Sequence, residues 1–226
     1  MITKFLSIGM ENSDIAGRCP GADLDAKRMF SLISLYSNYS NLLLNKEATK
    51  SKTLEELNEI CRGSDLAILF YAGHGGSSKL KNPAPEEDDG KDEMIFLNDK
   101  VLIDDEIWNV ISKASGRVFL IFDCCHSETM FRLKTPEKLL ASGLRGQKTP
   151  LVDMLCWSGC ADDKTSQGWI NGGFFTNAIL KHFHPDKTYD ELWSLISSDV
   201  NLAKAEIVKR TILRPDSEFI GKAIFH

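Results

Sequence analysis

Short blocks of nearly uninterrupted apolar residues alternate along this chain with longer blocks in which apolar residues return every third or fourth position. Ile2 to Gly9, Asn41 to Asn45, Leu66 to Tyr71, Val118 to Phe122 and Val152 to Trp157 are of the first kind. They are too short for core helices and rich in β-branched and aromatic residues, which predicts strands buried on both faces. The second kind predicts helices. Ala22 to Tyr36 carries Leu24, Met29, Leu32, Ile33 and Leu35 at roughly helical spacing, and Ser51 to Cys61 opens on Thr53 and Glu56, spaced as a capping box. Further helices are expected from Asp104 to Lys113, from Phe174 to His182 and from Asp190 to about Lys209, with a last short strand near Phe219. Alternating strands and helices predict a mostly parallel sheet covered on both sides, a three-layer α/β/α sandwich.

Two polar stretches interrupt the pattern. Ser77 to Asp92 dissolves into Lys, Asn, Pro, Glu, Asp and Gly and is expected to be a surface loop. Residues 130–149 form a basic connecting segment, with Arg132, Lys134, Lys138, Arg145 and Lys148 against Glu137 alone. The 226 residues, 42% of them hydrophobic, suit a single domain over 1–226. A formal net charge of −5 argues against nucleic acid or an anionic membrane as the main partner. No apolar run reaches transmembrane length, and no signal-like segment opens the chain. Six cysteines without a scaffold spacing complete the expectation of a cytoplasmic protein.

Chemistry gathers where two predicted strands stop. Val118–Phe122 runs into Asp123-Cys124-Cys125-His126-Ser127, and Leu66–Tyr71 into Ala72-Gly73-His74-Gly75-Gly76. In an open parallel sheet the carboxyl ends of the strands border the crevice where sites form. A thiol and an imidazole from neighbouring strand tips are the ingredients of nucleophilic catalysis. Zinc is a poorer reading of Cys124, Cys125, His126 and His74, because adjacent cysteines do not readily aim both sulfurs at one tetrahedral ion.

Tyr71-Ala72-Gly73-His74-Gly75 followed by Asp123-Cys124-Cys125-His126-Ser127 resembles the signature of metacaspases, the caspase-like cysteine peptidases. The resemblance implies the three-layer caspase-like fold, with His74 as catalytic base, Cys125 as nucleophile, and an oxyanion hole from the backbone N–H groups of Gly75 and Cys125. It also implies an acidic substrate pocket built from Asp123 and Asp25, with Asp23 as the alternative to Asp25 because Cys19 is offset from its usual spacing. Such a pocket accepts arginine or lysine. The segments preceding the nucleophile strand resemble those through which some metacaspases bind an activating Ca²⁺, here Asp92, Asp104 and Asp105. Arg132 stands where a fourth acidic ligand is usual, so Glu128 or a backbone carbonyl would have to replace it. No cofactor is required for the chemistry.

The expected function is therefore a cysteine endopeptidase acting on proteins or peptides after Arg or Lys, with 130–149 offering sites for self-cleavage. A prokaryotic cell-death or defence effector released by a regulatory partner is the expected setting. The alternative is a regulatory caspase-homology module that acts by binding a partner.

Overall fold

The computed structural model describes residues 1–79, 91–124, 152–161, 171–203, 206–212 and 218–225. A six-stranded sheet runs through its centre in the order β11-β10-β9-β5-β1-β4. Its strands are β1 (Thr3–Gly9), β4 (Tyr39–Leu44), β5 (Leu66–Ala72), β9 (Arg117–Asp123), β10 (Met154–Ala161) and β11 (Glu206–Ile212). All neighbours are parallel except β11, which is antiparallel to β10.

Strand periodicity divides the core in two. Phe5, Ile68, Phe70, Phe119 and Ile121 face α1 (Ala22–Ile33), α4 (Phe174–His182) and α5 (Tyr189–Ala203). The alternate residues Leu6, Leu69, Tyr71, Leu120 and Phe122 face α2 (Lys50–Cys61) and α3 (Asp104–Ile111). Burying each such side chain is worth about 1.5–3 kcal/mol, so this two-sided pattern is what holds helices on both faces. The period also aims Asp123: two residues beyond Ile121, it must project toward α1 and α4.

The remaining strands are small. β2 (Asn12–Ser13) and β3 (Gly17–Arg18) form a two-residue hairpin, and β6 (Gly75–Lys79), β7 (Lys91–Phe96) and β8 (Val101–Ile103) make an antiparallel three-stranded sheet. The sequence reading placed a loop over Ser77–Asp92; its outer ends are instead strand, Gly75–Lys79 pairing with Lys91–Ile95. Residues 80–90 lie outside the described residues.

Three other expectations change. The helix expected to reach Lys209 ends at Ala203, and Glu206–Ile212 is strand β11. The run Ile207, Val208, Thr211 and Ile212 is β-branched, and a free edge of β10 gives it a ladder to complete. Near Phe219 the chain forms a 3₁₀ turn, Glu218–Gly221, instead of a strand. Leu24 on α1 and Leu35 in the 3₁₀ turn after it, Ser34–Tyr36, are outward, 39% and 75% exposed, while Ala22, Asp25, Ala26, Met29 and Ile33 are buried. The small alanines let α1 approach β1 closely, and they carry Asp25 inward with them.

Candidate active site

The ends of β1, β5 and β9 lie in register, Gly9 beside Ala72 and Ala72 beside Asp123. Short bonds tie these tips together: Met10 N–H donates to the Ala72 carbonyl at 2.9 Å and Gly73 N–H to the Asp123 carbonyl at 3.3 Å. His74 follows directly. Its backbone is fixed by the buried Tyr71 hydroxyl, which donates toward the carbonyls of His74 (2.8 Å) and Phe96 (2.9 Å). Burial pushes the Tyr71 phenol well above its ordinary pKa, so it remains a donor. Gly73 is required here, since a Cβ would lie 2.5 Å from the Tyr71 oxygen.

Among the described residues the His74 ring has one hydrogen-bond partner. Its Nε2 lies 3.0 Å from the backbone carbonyl of Arg18, at the end of the β2–β3 hairpin. A carbonyl can only accept, so Nε2 carries the proton and Nδ1 is left as the basic nitrogen. The hairpin is itself anchored. Ser13 Oγ donates to the Leu97 carbonyl at 2.8 Å, Asn98 Nδ2 to Asp14 at 3.2 Å, and Cys19 N–H to the Glu11 carbonyl at 2.7 Å. No sequence signal marks Arg18, because the group that matters is main chain.

Cys124 is buried at the tip of β9, its N–H bonded to the Gly159 carbonyl at 3.3 Å. Cys125, the expected nucleophile and second oxyanion donor, is the next residue and lies outside the described residues, as do His126, Glu128 and the basic segment 130–149. Gly75, the other expected donor, opens β6 opposite Ile95.

Asp25 and Asp123 meet beneath the strand tips, each 1% exposed. Both serve the start of α4. Gly173 N–H donates to Asp25 Oδ2 at 2.7 Å, and Thr176 donates to Asp123 Oδ2 twice, through its N–H at 3.1 Å and through its hydroxyl. The helix has no cap of its own, so two carboxylates from distant elements take that role. Gly172 and Gly173 allow the approach. A Cβ on Gly172 would collide with Asp25 Oδ1, one on Gly173 with Asp123 Oδ2, and Gly172 also has φ of +87°.

The remaining oxygens, Asp25 Oδ1 and Asp123 Oδ1, are buried and have no hydrogen-bond partner among the described residues. Burial first, and then the charge of Asp123, raises the Asp25 carboxyl to about 8, against the pull of Gly173 N–H and Arg28. Burial likewise raises Asp123, opposed by Thr176. Together the pair holds a proton, or a cation, far more readily than surface carboxylates do. Asp23, the alternative to Asp25, turns outward and pairs with Lys27 at 2.9 Å.

The acids expected to hold calcium are spread around the end of the small sheet. Asp104 and Asp105 form the first turn of α3, Asp104 buried and Asp105 exposed, and Asp92 lies on β7 opposite Ser78. The helix is capped from within: Glu106 accepts from Ile103 N–H at 3.2 Å. Among the described residues no three histidines, cysteines or carboxylates come together as a metal ion requires.

Fold and site together define a caspase-like α/β/α domain. The chain belongs to the caspase domain family, whose model matches residues 4–216. Among curated relatives, Metacaspase-1 of Cryptococcus neoformans is 25% identical over 217 residues, covering 67% of this chain and 47% of its own length. Metacaspase-1 of Coccidioides immitis is 25% identical over 271 residues, covering 87% and 58%. The chain thus spans about half the length of these relatives. Among solved structures, a Geobacter sulfurreducens protein superposes with a TM-score of 0.75 at 22% identity, over 100% of this chain and 98% of its own. Caspase-1 of Spodoptera frugiperda does so with 0.63 at 11% identity, over 93% and 86%. At these identities the structural likeness bears on fold alone.

Proposed function

We propose that this chain is a cysteine endopeptidase that cuts after arginine or lysine. The observation that carries the specificity is the acid pair: Asp25 and Asp123 each keep one buried oxygen without a hydrogen-bond donor, an arrangement a planar, multiply donating cation satisfies best. Arginine presents two such donors on one edge; lysine fits as a point charge.

The chemistry follows from the proton on His74. With Nε2–H directed to the Arg18 carbonyl, Nδ1 takes the proton of the Cys125 thiol. The thiolate attacks the carbonyl carbon after the basic residue, and the oxygen becomes an oxyanion received by the N–H groups of Gly75 and Cys125. Each such donor supplies about 3 kcal/mol of transition-state stabilisation. Collapse breaks the C–N bond, the imidazolium protonates the leaving amine, and a thioester remains. Water then surrenders a proton to His74 and hydrolyses the thioester, regenerating the thiol. The Arg18 carbonyl does for this imidazole part of what a carboxylate does in a triad: it fixes the tautomer and the orientation of the ring.

The acid pair is sealed from solvent, so a substrate side chain reaches it only when the neighbouring segments separate. This favours activity released by a signal. A regulatory partner or calcium at Asp92, Asp104 and Asp105 are the two proposed sources, in a cytoplasmic effector of cell death or defence.

Fluorogenic peptides carrying Arg, Lys or Asp before the scissile bond test the reading, each with and without Ca²⁺, on the native protein and Cys125→Ala. Cleavage after Arg and Lys that vanishes in the variant is the expected result. Turnover after Asp alone would overturn the pocket, and silence with every substrate would favour a module that acts by binding.

A further inference from the structure

One cation of the described residues reaches the acid pair without taking part in the proposed chemistry. Arg28, one turn after Asp25 on α1, brings Nη1 to 3.8 Å from Asp25 Oδ1, the oxygen without a hydrogen-bond partner. That separation is too long for a hydrogen bond. The donors of Nη1 go elsewhere, to Asn177 Oδ1 at 2.8 Å and to the Asn171 carbonyl at 3.3 Å. Asn177 is itself held, its Nδ2 donating to the Asn171 and Gly172 carbonyls at 3.4 Å. The guanidinium also lies against Gly172, 3.0 Å from where a Cβ would stand. Half-exposed at 37%, it sits outside a carboxylate that is 1% exposed.

These contacts decide between two roles. A competing occupant of the pocket would bond to Asp25 Oδ1 and use up its lone pairs. Arg28 instead spends its hydrogen bonds on the opposite wall and lends Asp25 charge without a bond. We propose that Arg28 is a positioning residue of the substrate pocket: tethered by Asn177, it sets its charge beside Asp25 without bonding to Oδ1, which is left for the substrate side chain.

Counting charges shows what this achieves. Two carboxylates with Arg28 sum to minus one, so a single arginine or lysine neutralises the loaded pocket with both acids ionised. Without Arg28 the loaded pocket is balanced only when one acid is protonated, and a protonated acid offers a poorer acceptor edge. The other groups facing the pair do not replace it. Asp23 on α1 is acidic and engaged with Lys27, and Thr176 and Asn177 on α4 are neutral.

This inference rests on the basic-residue specificity proposed above, and the experiment separates the two. kcat and KM for an arginine peptide are measured from pH 5.5 to 9 for the native protein, Arg28→Gln, Arg28→Lys and Asn177→Ala, with circular dichroism to check folding. The ratio of variant to native kcat/KM cancels the titration of His74 and Cys125, which all four share. Expected for Arg28→Gln is a ratio of about one half at pH 9 that falls to about one tenth by pH 6.5, carried by KM, since removing a neighbouring cation raises a carboxyl by about one unit. Arg28→Lys restores most of the loss and Asn177→Ala shows part of it. Benzamidine binding, followed calorimetrically over the same pH range, gives the same ordering without chemistry. A pH-independent ratio for Arg28→Gln would reduce Arg28 to a tie between helices, and a KM below native at every pH would make it a competing occupant. If the native protein prefers uncharged peptides and does not bind benzamidine, the specificity reading fails first.

Discussion

Two of the places where the protein buries carboxylates treat them in opposite ways. Glu56, on the inner face of α2 and 6% exposed, is satisfied by its neighbours. Tyr39 donates its hydroxyl at 2.6 Å and Lys52 its ammonium at 2.8 Å. Burial alone would raise Glu56, but its bonds from Lys52, Tyr39 and Asn41 together hold it below the ordinary value. The Tyr39 phenol is raised in turn to about 12, chiefly by that bond. Asp25 and Asp123, on the other side of the sheet, keep two unpartnered oxygens and are shifted upward. One cluster is complete and serves the fold. The other keeps an unfinished pair at the strand tips, the feature on which the proposed substrate pocket rests.

The sharpest way to break this contrast is to remove the acid at the pocket base. Asp123→Asn should lower kcat/KM for arginine peptides by about 100-fold or more, because a buried partner of the substrate charge is lost. A drop in kcat with KM unchanged would move Asp123 from binding into the chemistry.

Next in size is a stability effect of unusual sign. The Asp25 carboxyl titrates near 8 in the folded protein and near 3.8 when unfolded, so its contribution is fully present below pH 4 and lost as pH rises through 8. Asp25→Asn should therefore unfold harder than the native protein at pH 8, by on the order of 2 kcal/mol, with the gap closing toward pH 5. Urea melts at the two pH values check it, and a variant less stable at pH 8 would show that the bond to Gly173 outweighs the burial of charge.

The smallest effect lies at the satisfied cluster and runs the other way. Glu56 is held down in the folded state, so its stabilisation is present above pH 4.5 and lost as pH falls. Glu56→Gln should cost about 1 kcal/mol at pH 7 and nothing in acid, leaving peptide cleavage untouched.

Much of this was legible before the structure. Unbroken apolar blocks specify strands buried on both sides, so the parallel sheet and its two helical layers follow from local pattern. The strand period alone sends Asp123 to the α1 side. What failed was long-range. Thr53 and Glu56 have the spacing of a capping box, yet Thr49 caps α2, accepting from Lys52 N–H at 3.3 Å, and Thr53 Oγ1 is buried without a hydrogen-bond partner. Spacing cannot tell a helix start from the middle of its first buried turn. Glu206–Lys209 continues the expected helix because nothing local announces that β10 has an edge to fill. At the site, the residues that bond through their main chain, Arg18 and Gly173, left no mark that side-chain chemistry could reveal, and Thr176 and Arg28 become meaningful only once α4 is seen beside α1.

The dual duty of the two acids has a further consequence. The bonds at the base of the proposed pocket are also the bonds that start α4: Gly173 N–H to Asp25, Thr176 N–H and hydroxyl to Asp123. On the proposed reading, occupancy of the pocket and fraying of that helix are a single linked equilibrium. A ligand drawing on the carboxylates is felt as a change in amide exchange at Gly173 and Thr176, and anything that unwinds the first turn of α4 releases the acids. The molecule can thus report on, or be governed through, the order of a helix that contributes no catalytic group.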